Sequence, residues 1–400
     1  MSTIETMPPA LRARRAWTAL ALGVLAQTAG TVFVSTPAFL VPLLHTERGL
    51  TLAQAGLLAA TPTLGMVLTL VLWGALVDRV GEKWVIAAGL ALTALAGLGA
   101  LLSPGYVALG IFLLLGGAAS ASTNSASGKV VVGWFAKDRR GLAMGIRQMC
   151  QPLGVTVAAL TVPAMASSAG IGAAFIIPIA ATAILAVLTA LLMMNPPRAR
   201  RTLVTNAANP YLASGFLWRI HTLSLLLVVP QFTLSIFGLV WLVTQLHWST
   251  LAAGVLIGCA QFIGALGRVG FGILSDRVGS RVRPLRWVAL SAVVVMLVLG
   301  ATSAAQWQAG ALVLLIAMTV TVADNGLAFT SVAEMSGAAW SGRALGIQNT
   351  GQFVAASAVG PLVGGLIGIV GYPLAFVVVA AFPAVAAALV PKQGAELDRL

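Results

Sequence analysis

Of the ten acidic residues in this chain, Asp324 is the one that lies well inside a long apolar run, 308–335. It stands about ten residues from the end of that run, which as a helix puts it ~15 Å deep at 1.5 Å per residue. An ionised carboxylate at that depth in hydrocarbon is costly, so the residue must carry a proton or face a cation. Two chemistries fit: uptake and release of a coupling proton, or a structural ion pair with Arg268 or Arg147. Arg147 lies about six residues, ~9 Å, into the run 141–166, with Gln151 one turn further on. A guanidinium held there could grip a carboxylate or phosphate in bidentate fashion. Lys129 and Arg219 sit nearer the ends of their runs, where a long side chain can snorkel to water. Arg268, eight residues before Asp276, is expected to brace the neighbouring charged loop or Glu334. Neutral polar residues complete the set: Gln27 with Gln231, Asn124 with Asn325, Gln148 with Asn349, and Gln352. Singly each reads as a helix-packing hydrogen bond, whereas together they predict the lining of a shared cavity for a small solute.

Enzyme chemistry finds no purchase. Gly128-Lys129 is followed by Val130 and has no glycine five residues before it, so it is no phosphate-binding loop. His45, His221 and His247 are isolated, and neither a His-Glu-x-x-His nor a Gly-x-Ser-x-Gly string occurs. Cys150 and Cys259 lie far apart inside apolar runs and read as small packers. No cofactor and no metal is expected.

These residues need elements to hold them, and composition names the solvent. Charged residues are 8% of the chain and mean hydropathy is +0.99, too few charges to cover a soluble protein of this size. Apolar runs at about 17–44, 53–77, 84–103, 105–134, 141–166, 170–195, 217–246, 251–274, 286–304, 308–335, 343–368 and 372–390 make twelve. Each is about long enough to cross the ~30 Å hydrocarbon core as a helix, the structure that satisfies its own backbone there. The fold class is therefore all-α membrane protein, its bilayer a partner. The first run is too long for a cleaved leader.

A net charge of +13 would suit nucleic acid, but its distribution argues against that partner. Eighteen of the 23 Lys and Arg fall between runs on one side: Arg12, Arg14, Arg15, Arg79, Lys83, Lys137, Arg139, Arg140, Arg198, Arg200, Arg201, Arg277, Arg281, Arg283, Arg286, Arg343, Lys392 and Arg399. Arg48 alone falls on the other. The positive-inside rule makes the eighteen cytoplasmic, with both termini, in a multi-pass protein of the cell membrane.

Gly74-x-Leu76-x-Asp78-Arg79-x-Gly81-x-Lys83 returns 198 residues later as Gly272-x-Leu274-x-Asp276-Arg277-x-Gly279-x-Arg281. Gly145-Ile146-Arg147-Gln148-x-x-Gln151 aligns with Gly346-Ile347-Gln348-Asn349-x-x-Gln352 at an offset of 201, the offset that also relates Asn124 to Asn325. The chain is a duplicated six-helix unit. Its parts are a tail 1–14, a bundle 15–195, a linker 196–214, a bundle 215–390 and a tail 391–400.

The doubled loop resembles the cytoplasmic signature of the major facilitator superfamily, between helices two and three and again between eight and nine. That resemblance covers residues 15 to 390 and implies two pseudo-symmetric six-helix bundles moving a solute by alternating access. It implies a gating role for Gly74, Asp78, Arg79, Gly81, Asp276, Arg277, Gly279 and Arg268, with each aspartate beside a helix N-terminus and paired with Arg79 or Arg277. Asp324 resembles the tenth-helix acid that takes the coupling proton in lactose permease-like symporters. Helix one carries Gln27 and Thr28 and no acid, helix four lacks the arginine expected near 112–115, and Gly360-Pro361-Leu362-Val363-Gly364-Gly365 falls in helix eleven, which weakens proton-driven drug export. The reading is a monomeric secondary transporter of a small organic anion, coupled to protons. Export of amphiphilic drugs is its rival, and a sensor or membrane enzyme is a remote one.

Overall fold

The computed structural model describes residues 8–46, 49–50, 52–196 and 209–392. Arg48, Arg198, Arg200, Arg201 and Arg399 lie outside the described residues, as do most of the two tails and of the linker. Within the described residues the secondary structure is helical throughout: α1 (Pro9–Thr46), α2 (Leu52–Val80), α3 (Glu82–Leu101), α4 (Tyr106–Trp134), α5 (Arg140–Arg147), α6 (Cys150–Ala169), α7 (Ile176–Leu192), α8 (Pro210–Ala213), α9 (Phe216–Gln245), α10 (Thr250–Val278), α11 (Val282–Ala304), α12 (Gly310–Thr321), α13 (Asp324–Met335), α14 (Ser341–Val379) and α15 (Ala381–Leu389).

Eleven helical stretches among the described residues are long and apolar enough to cross a membrane. The last, Ser341–Leu389, has 49 residues, about 74 Å if straight at 1.5 Å per residue and far beyond one bilayer. Gly371 resolves it. At φ 75° and ψ 170° it takes a backbone conformation that side-chain-bearing residues avoid, and breaks α14 between the runs 343–368 and 372–390. Twelve crossings follow, and the all-α class holds.

Two runs that read as single helices are interrupted. The fifth breaks at Gln148 and Met149, between α5 and α6, and the tenth at Val322 and Ala323, between α12 and α13. Arg147 ends α5 and Asp324 begins α13, so both charged residues stand at breaks.

The chain forms two compact units. One comprises 1–135, 149–207 and 337–350, and the other 136–148, 208–336 and 351–400. The first packs around Phe33, Leu40, Leu58, Leu113 and Phe175, with the two phenyl rings 6.2 Å apart. The second packs around Trp241, Met296, Leu314 and Phe376, where Trp241 meets Phe376 edge-on and donates its indole N–H to Ser303 Oγ at 2.8 Å. Leu72, Leu95, Leu160, Leu191, Leu362 and Ile369 are exposed, the pattern of helices that turn leucine outward to lipid.

Candidate functional site

In the first unit Asp78 closes the end of α2. Its carboxylate, 2% exposed, accepts the backbone N–H groups of Gly342 at 2.9 Å and Arg343 at 3.1 Å, the first turn of α14. Those amides have no partner within their own helix, and the carboxylate sits at the positive end of its dipole. Lys129 Nζ of α4 reaches Asp78 Oδ1 at 2.6 Å, and Arg343 Nε stands 3.5 Å from Oδ2. A methyl group on Gly74 would overlap the carbonyl of Gly342, and one on Gly342 the carbonyl of Gly74. The two backbones touch because neither residue has a side chain.

The second unit repeats the device. Asp276 accepts the N–H groups of Gly141 and Leu142, both at 2.9 Å, in the first turn of α5. Gly272 and Gly141 exclude side chains from each other as the first pair does. Here the cation is Arg281, with Nη1 2.5 Å from Asp276 and 2.9 Å from Ser275 Oγ, and Nη2 2.7 Å from the Lys137 carbonyl. Glu334 of α13 joins at 3.3 Å from Arg281 and 3.3 Å from Arg140. Burial opposes the Arg281 charge, and the Glu334 and Asp276 carboxylates outweigh it, so the guanidinium is held above its ordinary range.

The polar residues expected to share one cavity fall into a set in each unit. In the first, Gln27 donates to Asn124 Oδ1 at 2.7 Å and accepts from Ser127 at 2.8 Å, and Asn349 donates to the Leu345 carbonyl at 2.8 Å. In the second, Gln352 donates to Ser224 Oγ at 2.8 Å and Asn325 Oδ1 at 3.0 Å, while Asn325 donates to Gln231 Oε1 at 3.0 Å. This chain of amides ties α9, α13 and α14.

The second unit also holds Arg147, Arg268 and Asp324. Arg147, 1% exposed, lies over the Phe329 ring at 5.2 Å and donates to Gln148 Oε1 at 2.7 Å. Arg268 donates to the Gln148 carbonyl at 2.8 Å and is the cation whose charge acts on Asp324. Asp324 is 1% exposed, and neither of its carboxyl oxygens has a hydrogen-bond partner.

The second unit thus buries a carboxyl and two guanidinium groups, and a carboxylate caps the first turn of α5 as another caps that of α14. In sequence comparison the family model for the Major Facilitator Superfamily matches residues 20–358. The chain belongs to the Major Facilitator Superfamily. An MFS-type transporter of Mycobacterium tuberculosis is 44% identical over 386 residues, 96% of this chain and 86% of that one. A protein of Oryza sativa named probable anion transporter 3, chloroplastic, is 34% identical over 143 residues, 34% of this chain and 27% of its own length. The crystal structure of the E. coli fucose:proton symporter superposes with a TM-score of 0.71 at 16% identity, covering 95% of this chain and 100% of that one, a likeness of fold. This MFS protein is a multi-pass membrane transporter and not an enzyme.

Within the MFS fold several expected partners change. Arg79 and Arg277 are exposed, and the cations on Asp78 and Asp276 are Lys129 with Arg343, and Arg281. A residue next to an aspartate on a helix points about 100° away from it, so the adjacent arginine turns outward. Lys129 therefore does not snorkel: Asp78 compensates its charge inside the bundle. Glu334 is braced by Arg281 and Arg140, in the place foreseen for Arg268. Gln151 is exposed and lies beyond the break that follows Arg147, which interrupts the helical register assumed between them. Cys150 is buried as a packer, whereas Cys259 is exposed. Gly81 and Gly279 both take positive φ where their loops turn. Arg281, in the motif place of Lys83, and Glu334 join the second cap, a pairing that the motif alone does not announce.

Proposed function

We propose that this MFS protein is a secondary active transporter that moves a small organic anion, of the carboxylate type, together with protons by alternating access. The observation that carries the reading is the buried charge set of the second unit: Arg147 and Arg268 against the single carboxyl of Asp324. With Asp324 protonated the set is doubly positive and attracts an anion, and with Asp324 ionised the attraction weakens, so proton and anion favour each other. The rice relative named as a probable anion transporter supports the anion. Arg147 is the substrate grip, Asp324 the proton carrier, and Gln231, Asn325 and Gln352 supply neutral hydrogen bonds. Gln27, Asn124, Asn349 and Gln151 serve the same substrate at other points of its passage, and the two caps are the gate. The moving bodies are the bundles 15–195 and 215–390. The protein works as a monomer in the cell membrane with the arginine-rich end and both termini cytoplasmic.

Purified protein screened by thermal shift against carboxylates, sugar phosphates, amino acids and drugs should be stabilised by a carboxylate. Uptake of that carboxylate into proteoliposomes should rise with an imposed pH gradient, and Arg147→Ala should lower it by at least about tenfold, as expected when a charged grip is removed. Full uptake by Arg147→Ala removes the anion grip, and indifference to the gradient removes the proton. Stabilisation by amphiphilic drugs alone favours export of such compounds.

A further inference from the structure

A cavity of about 260 Å³ opens within the second unit, lined by Ser331 and Glu334 of α13, Ser275 and Asp276 of α10, Arg281 of the following loop, and Lys137. Lys137, Asp138 and Gly279 at its rim are exposed, so its mouth lies at the arginine-rich end. At its inner wall Ser331 is 1% exposed, and its hydroxyl has no hydrogen-bond partner. A buried hydroxyl without a partner is expensive, and although Phe216 and Met335 give the cavity an apolar share, its Glu334, Asp276 and Arg281 side chains and its size give room and partners for several water molecules to satisfy it.

Helical register joins this cavity to the proton site. Ser331 follows Asp324 by seven residues, two turns and about 10 Å along α13, on one face, and Glu334 is the i+3 neighbour of Ser331. Asp324 and Ser331 are the two described side chains of α13 whose buried oxygens have no partner. We infer that Asp324 exchanges its proton with the arginine-rich end through water along this face of α13, with Ser331 as the inner relay and the Glu334 cavity as the mouth. The inference rests on the proposed proton role of Asp324. In one transfer the carboxyl of Asp324 gives a proton to water, Ser331 accepts one hydrogen bond while donating another, and one proton leaves at the mouth. Ser331 is unchanged, and the Glu334 carboxylate steadies the positive charge in transit. Leu327 and Ala328 occupy the turn between Asp324 and Ser331, so the inner step depends on water threading past them.

The helices packed against α13 place other charges along the route. α10 brings Arg268 beside Asp324, α5 brings Arg147 and Arg140, and the arginine-rich ends of α9 and α11 bring Arg219, His221, Arg283 and Arg286. Arg281 and Asp276 flank the mouth with Lys137 and Asp138. This excess of cations repels an unscreened proton, which gives Glu334 its place in the relay.

The test needs no substrate. Difference infrared spectra of reconstituted wild type against Asp324→Asn should show a protonated carboxyl band, and transfer to D2O should shift it. Ser331→Val, which fills the hydroxyl site with carbon, should slow that shift by at least about tenfold, and Ser331→Ala by less, each judged alongside its thermal unfolding to show that it folds. Ser331→Thr should restore the rate. A band that deuterates as fast in Ser331→Val and Ser331→Ala as in wild type overturns the route while leaving Asp324 as proton carrier. Absence of the band at every pH tested overturns the proton role itself.

Discussion

The two caps have the same backbone geometry and different charge supply. Each aspartate holds two amides of a helix that begins at the equivalent point of its half, Gly141 and Leu142 in one case and Gly342 and Arg343 in the other. Asp78 draws its main cation from Lys129, 51 residues away on another helix, whereas Asp276 draws Arg281 from its own loop, 5 residues away. The first cluster has two cations and one carboxylate. In the second, Arg281 and Arg140 face Asp276 and Glu334, two against two. Duplication has thus kept the backbone contact, which tolerates no side chain, and let the compensating charges be redrawn around it. The consequence is unequal dependence: Lys129 relies on a single carboxylate, and Arg281 has two.

That inequality sets the largest expected effect. Asp78→Ala leaves Lys129 buried without its counter-charge and two helix amides without an acceptor, a loss of about 3–5 kcal/mol by the measure of broken buried pairs. Unfolding of the detergent-purified variant should show it. Adding Lys129→Met should recover part of the loss, because the stranded charge goes with it. A loss below about 1 kcal/mol for Asp78→Ala would mean that Lys129 finds another partner or reaches water, and the contrast between the caps would collapse.

Asp276→Ala breaks the same two amide bonds and one ion pair, yet Arg281 keeps Glu334, Ser275 and the Lys137 carbonyl. About 1–3 kcal/mol is expected, the cost of unsatisfied buried groups without a fully stranded charge. Asp276→Ala together with Glu334→Gln should then cost more than the sum of the single changes, since only the pair leaves Arg281 without a carboxylate. Strict additivity in that cycle would show that the carboxylates do not substitute for one another.

The contrast also marks the limit of what sequence could show. Twelve crossings were legible because lipid forces every backbone group into a helix, and short stretches of turn or charged residues separate the apolar runs. The two caps were legible as a pair from a 198-residue offset, since Gly74 and Gly272 answer a backbone constraint that any descendant must meet. Their counter-ions were not. Lys129 looks like a snorkelling residue from its distance to the helix end, and only packing of α4 against α2 brings it to Asp78. The break after Arg147 did have a signal, since Pro152 stands four residues beyond Gln148 and removes the amide that its carbonyl would accept, whereas the break before Asp324 has no proline near it. The cavity under Ser331 is a product of α9, α10, α13 and the segments at Lys137 and Arg281 meeting, and a lone serine in an apolar run announces nothing of it.

The smallest expected effect tests the side of the comparison that concerns neighbours in sequence. Arg79 and Arg277 sit beside the two aspartates and are the partners that adjacency suggests, yet both are exposed while other cations occupy the carboxylates. Arg79→Ala and Arg277→Ala should each lie within about ±0.5 kcal/mol of wild type in unfolding, the range of surface changes away from special contacts. Raising salt should leave the buried pairs nearly unaffected, since screening acts on the exposed charges first. Should either alanine variant insert normally yet lose stability on the scale of Asp78→Ala, the adjacent arginine rather than the distant lysine would be the working partner, and the two caps would be alike after all.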